Sequence, residues 1–118
     1  MSLVGRVYDP LGFLSPVVIR LKSLFQELCE LKLEWDEPLT GALSSKWESM
    51  VTDLQADQQI HVPRYLLCDV HHQVDSYSLI GFCDASTKAY AAVVYLQVKT
   101  QEIFHVKFLT SKTRVSSL

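Results

Sequence analysis

Hydrophobic and polar positions follow two different periods along this chain, and the change falls near Ile60. In the first half Val17, Leu21, Leu24, Leu28 and Leu31 recur at alternating spacings, with Val18 and Phe25 widening the stripe. Lys22, Gln26, Glu27 and Glu30 collect on the other side, the pattern of a one-faced amphipathic helix. Ser15 and Pro16 announce its start. Ser is a favoured N-cap, and Pro suits the first helical position, where the N–H it lacks would have had no partner. The polar side is mixed in charge, which fits a core-facing stripe better than a membrane-surface helix. After Pro38 a second helix is predicted, capped near Thr40, with Leu43, Trp47, Met50, Val51 and Leu54 on one face. A loop this short makes the two helices antiparallel neighbours, so residues 14–57 read as a helical hairpin with Trp47 in the seam. Trp35 reads either as a packing anchor or as an exposed base-stacking platform.

From Ile60 onward the period shortens to two. Ile60-His61-Val62-Pro63-Arg64-Tyr65-Leu66 is extended in character, and Pro63 demotes it to an edge strand or a tether. The polar stretch from Cys68 to Ser76 reads as a loop. Strands are predicted over 77–83, 89–98 and 102–110, joined by the turn-prone Ala85-Ser86-Thr87-Lys88 and by Lys99-Thr100-Gln101-Glu102. Tyr90, Ala92, Val94, Leu96 and Val98 form one row, and Phe104, Val106 and Phe108 another. The fold class is α+β, an N-terminal helical hairpin followed by a three-stranded antiparallel sheet. The organisation is a helical segment over 1–59, a tether and loop over 60–76, and a β-meander over 77–118.

With 118 residues and 48% hydrophobic content, the chain is long enough for one domain with a core. A net charge of −2 does not describe a dedicated nucleic-acid-binding domain, which is normally basic, so any such role is local or shared. The three cysteines, Cys29, Cys68 and Cys83, have no CxxC spacing, so neither a disulfide framework nor a zinc ribbon is suggested, and a reducing, intracellular setting fits. Cys68-x-x-His71 has a spacing zinc could use, but Cys83 or His61 would have to complete the site from unrelated positions. No apolar run reaches the ~18 residues of a membrane span and no targeting segment opens the chain, so no membrane role is expected.

The chemistry concentrates on Asp84. In the first strand Ile80, Phe82 and Asp84 share one face, so a carboxylate ends an apolar row. A charge there must be paired, hold a metal or reach water at the sheet's margin. In its bland role Asp84 only orders the turn, accepting from the backbone of Ser86. Lys112 and Arg114 end the chain with basic charge and are either phosphate-binding or merely solvated.

Three ordered stretches carry a resemblance. Tyr8-Asp9-Pro10-Leu11-Gly12-Phe13-Leu14-Ser15-Pro16, then Trp35-Asp36-Glu37-Pro38-Leu39, then the hairpin from Leu79 to Leu96 with Lys112-Thr113-Arg114-Val115, resemble Pao/BEL-type retrotransposon polyproteins. The region is the end of the reverse transcriptase through the start of ribonuclease H, also catalogued under a Pao retrotransposon peptidase family name. Tyr8 stands where Phe is usual, Ile80 where His, Cys83 where Ser and Ala91 where Gly; Asp84 is kept. The resemblance implies a thumb- or connection-like helical segment before the first strands of a ribonuclease H-like fold, incomplete at the C-terminus. It makes Asp84 the first of several carboxylates that hold two Mg²⁺ ions on an RNA/DNA hybrid. The family's next acid, a Glu, lies beyond the Lys-Thr-Arg-Val strand, so the isolated chain is expected to need no cofactor, to be catalytically silent with Asp84 vestigial, and to leave a sheet surface around Val94, Phe104 and Phe108 uncovered and prone to self-association. Two alternatives stay open. One is an aspartic-peptidase-type domain acting as a dimer, against which stand Asp-Ala-Ser in place of Asp-Ser/Thr-Gly and the absence of a second copy. The other is a domesticated, non-catalytic interaction module.

Overall fold

A computed structural model of the chain describes residues 7–34, 36–56, 61–101 and 103–117. Two helices, α1 (Ser15–Glu30) and α2 (Ala42–Ala56), precede three strands, β1 (Val74–Ala85), β2 (Ala89–Thr100) and β3 (Phe104–Val115). The strands form one antiparallel sheet in the order β1-β2-β3. The helical hairpin and the meander are those the two periodicities predict. The strands run longer than expected, with β1 starting at Val74, inside the stretch read as a loop. Residues 61–66 form no strand. Trp35 and Ile60 lie outside the described residues.

The helical hairpin closes on the apolar stripe. Leu21, Leu24 and Leu28 of α1 are buried with Met50 of α2, and Leu33, Leu39, Leu43, Trp47 and Leu54 pack around them. Trp47 therefore sits in the seam, half-buried. Lys46 pairs with Glu27 and Arg20 with Asp53 across the outside of the hairpin. Leu31 and Phe25 depart from the predicted stripe and are exposed, Leu31 because it falls just past the last helical turn.

The segment leading into α1 is a clamp on the edge of β3. The backbone N–H of Ser111 donates to the Leu11 carbonyl at 2.8 Å, so a loop covers a strand edge that would otherwise be open. The Ser111 hydroxyl donates to the Gly12 carbonyl at 2.6 Å and lies 2.8 Å from the Ser15 hydroxyl. Ser15 is thus no N-cap. That position belongs to Leu14, which makes no side-chain capping bond, and the carboxylate of Asp9 organises the loop that enters the helix. Its two oxygens accept from the N–H groups of Phe13 at 2.9 Å and Leu14 at 2.8 Å. Both N–H groups precede the helix, and a carboxylate beside its start also sits favourably in the helix dipole. Sequence alone favoured Ser15 because it directly precedes Pro16, but its hydroxyl is engaged by a strand almost a hundred residues away. Farther along, Gln26 donates to the Ser116 carbonyl at 2.9 Å, fastening α1 to the end of β3.

The β2–β3 ladder carries a bulge. Val94 pairs with Thr110 but Tyr95 pairs with Phe108, leaving Leu109 as an extra residue. A bulge of this kind inverts the alternation beyond it. Phe104, Val106 and Phe108 therefore share their face with Ser111 and Thr113, whereas Lys112 and Arg114 turn to the other.

The molecule is elongated, 59 × 30 × 19 Å, with a radius of gyration of 18.5 Å, where a compact chain of this length would have roughly 13 to 14 Å. Tyr77, Leu79 and Phe82 of β1 and Phe104 and Val106 of β3 are exposed. Phe108 is not, because the Phe13 ring lies 4.3 Å from it, and Val94 is half-buried. On the face bearing Lys107, that residue pairs with Asp69 of the turn before β1.

Two expectations follow for this framework. Gly12 has φ +80°, and a Cβ there would come within 2.1 Å of the Ser111 carbonyl oxygen. Gly12→Ala should therefore destabilise by about 2 to 5 kcal/mol, the sum of a left-handed backbone and a clash with backbone. Urea unfolding measures it, and a change under about 0.5 kcal/mol would place the clamp elsewhere. The second concerns Asp69. The Lys107 hydrogen bond, aided by a backbone hydrogen bond and by the charges of Lys107 and His105, holds its carboxyl below the ordinary value of 3.8. A lowered folded value means that this tie is complete above 3.8 and is lost only as pH falls through the lower, folded value. A carboxyl chemical-shift titration should give a midpoint below 3.8 that returns towards 3.8 in Lys107→Gln. An unchanged midpoint would show that Lys107 is not the cause.

Candidate functional site

Asp84 stands near the end of β1, where the register aligns it with Ala91 of β2 and Thr113 of β3. The two rows behind it are Phe82–Val93–Ser111 and Ile80–Tyr95–Phe108. Phe82, Tyr95, Phe108 and Phe13 form a chain of rings at successive centroid distances of 6.1, 6.0 and 4.3 Å, the first two contacts edge-on. Edge-to-face rings at this range are mutually attractive. The chain runs across the sheet and hands over to the clamp. Gly12, Pro16 and Ile19 wall the same space, giving an open, largely apolar cavity of about 490 Å³ with Asp84 on its rim.

Asp84 itself is exposed. One carboxylate oxygen accepts from the N–H of Ala85 at 2.9 Å, the next residue along, rather than from Ser86 as its turn-ordering role would require. Ser86 organises the turn instead. Its N–H donates to the Ala89 carbonyl at 2.8 Å, and its hydroxyl oxygen lies 3.2 Å from both the Lys88 and Ala89 nitrogens. Apart from that bond to the next residue, Asp84 takes no part in the turn and faces water, the third of the situations open to a charge at the end of an apolar row.

Lys112 and Arg114 are exposed, and they do not accompany Asp84. Lys112 aligns with Ala92 and Arg114 with Tyr90, the rows of the opposite face. Simple alternation from Phe108 would have set both cations beside Asp84; the extra residue at Leu109 reverses this. What sequence spacing does not reveal is their companion. Lys22 of α1 lines one cleft with Lys112 and a second with Arg114, and the second also holds Phe25 and Tyr90. No local pattern pairs a helix residue with a strand ninety positions later. Only the docking of α1 along β3 does so.

A family model for the Pao retrotransposon-like RNaseH-like domain matches residues 1–118. The chain belongs to that family. No curated protein and no solved structure matches it. Two helices followed by a three-stranded antiparallel sheet agree with a partial RNase H-like fold, and within this chain Asp9-Pro10-Leu11-Gly12-Phe13-Leu14-Ser15-Pro16 is the clamp: Asp9 orders the loop, Gly12 permits close approach, Phe13 stacks and Ser15 meets Ser111.

The donor set here does not fit a two-ion centre. Hard divalent ions need several oxygen ligands in near-octahedral order. Among the described residues no three His, Cys, Asp or Glu side chains come together, and the row of Asp84 offers only Ala91 and the Thr113 hydroxyl side chain as neighbours. Cys29, Cys68 and Cys83 are free and exposed. Among the described residues no helix is long and apolar enough to cross a membrane.

Proposed function

We propose that this chain is a region of a Pao/BEL-type retrotransposon Pol polyprotein that joins the reverse transcriptase to ribonuclease H, and that by itself it hydrolyses nothing. Asp84 is its contribution to chemistry, the first carboxylate of a site that other acids of the polyprotein complete. The observation that carries the reading is the state of Asp84. It ends a strand over an apolar cavity, open to water, and among the described residues it is the one carboxylate of that lining and no three His, Cys, Asp or Glu side chains gather to hold an ion. In the parent enzyme Mg²⁺ would supply the activation of water and the stabilisation of the leaving oxygen on an RNA/DNA hybrid. The role of this chain is to hold Asp84 at the mouth of the cavity, and the clamp on β3 sets the cavity wall opposite. Three exposed thiols suit a reducing, intracellular setting.

The isolated chain should show no cleavage of a labelled RNA/DNA hybrid in Mg²⁺ above a no-protein control. Hydrolysis that requires Mg²⁺ and disappears in Asp84→Asn would contradict the reading.

A further inference from the structure

We infer that Lys22, Lys112 and Arg114, with Tyr90 and Phe25, form a binding surface for single-stranded nucleic acid on the face of the sheet turned away from Asp84. The three cations come from two elements and converge because α1 lies along β3. Lys22 shares a cleft of about 190 Å³ with Lys112 and a larger one of about 650 Å³ with Arg114, so it stands between them. Among the described residues none of the three is in an ion pair, whereas Arg20, Lys46 and Lys107 each have a carboxylate partner. Asp9 lines the smaller cleft and offsets part of this charge, while its two oxygens accept from the Phe13 and Leu14 N–H groups and it forms no ion pair with either lysine. A chain with net charge −2 thus keeps a local excess of basic charge at one place.

The aromatic rings specify the partner further. Tyr90 is 47% exposed and Phe25 38%, and both line the cleft that holds Arg114 and Lys22. An exposed phenylalanine on a helix that buries its leucines is a departure from the stripe, and here it faces a tyrosine and two cations. A phosphate backbone supplies counter-charges to a basic track, and unpaired bases supply planar faces that stack on rings in a sequence-tolerant way. A duplex hides those faces, so a single strand is the better fit. Because the surface lies opposite Asp84, a strand held there is not at the cleavage position; it is kept close by.

The inference rests on the proposed function only for the class of partner, and its test reads binding in place of hydrolysis. Cleavage by the isolated chain would overturn the earlier reading and leave this one standing, whereas absent binding would do the reverse. Fluorescence anisotropy of labelled oligo(dT) with the full chain is the assay, run over a salt series. Three phosphate contacts on a single strand predict a slope of about −2 in log K against log salt. Each of Lys22→Gln, Lys112→Gln and Arg114→Gln should flatten it by about 0.7, and Lys32→Gln, on an exposed turn elsewhere, should not. Tyr90→Ala should weaken binding roughly 5- to 100-fold with the slope retained. Tyr90→Phe, which keeps the ring, should bind as the wild type does, and Phe25→Ala gives the stacking test away from the sheet should Tyr90→Ala fail to fold. No binding at low salt, a slope unchanged by the triple substitution, tighter binding of an RNA/DNA duplex, or equal binding of heparin with no effect of the ring substitutions would each overturn the proposal.

Discussion

Everything in this molecule depends on how closely the loop before α1 approaches the edge of β3. At Gly12 the two backbones are so near that no Cβ fits between them, and the Ser111 N–H and hydroxyl are both satisfied by that loop. An edge strand is a row of unpaired donors and acceptors that some element must cover. Covering it with the helix entrance also fixes the helix. Asp9 holds the loop that enters the helix, Phe13 lies on Phe108, and α1 is set along the strand with its leucines left to meet α2. One seam therefore ties the helical hairpin to the sheet.

The same seam creates both surfaces of interest. Towards one face, Pro16 and Ile19 close one side of the aromatic cavity whose rim carries Asp84. Towards the other, Lys22 and Phe25 meet Arg114 and Tyr90. The bulge at Leu109 decides which side each β3 residue joins, sending Ser111 and Thr113 to the first and Lys112 and Arg114 to the second. The far edge of the sheet is different. β1 has no strand beyond it among the described residues and exposes Tyr77, Leu79 and Phe82, consistent with the elongated form.

Much of this was legible in the residues. The leucine spacing of α1, the face of α2 with Trp47, the meander, the row from Tyr90 to Val98 and the place of Asp84 at the end of an apolar row all follow from periodicity, since each is local. What was not legible is non-local. Ser15 looks like a cap until a strand far along the chain engages its hydroxyl, and Asp9 looks like a turn residue until the backbone curls back onto it. The bulge is marked in residues 104 to 114 only by the apolar pair Phe108-Leu109, which breaks the alternation, yet it moves two candidate cations across the sheet. Lys22 sits on the polar side of an ordinary amphipathic helix and gains meaning only from what lies opposite.

The chain belongs to the Pao retrotransposon-like RNaseH-like domain family, and its stretch from Asp9 to Ser15 carries the densest structural duties. The central claim is that this motif seals β3 and thereby positions both faces. Amide hydrogen exchange of the intact chain addresses it directly at a single site, the N–H of Ser111 that donates to Leu11. The account predicts that this amide is protected to the same degree as the middle of α1, because opening it requires undocking the helix entrance. Exchange of Ser111 at the rate of an unpaired edge amide, with α1 still protected, would contradict it.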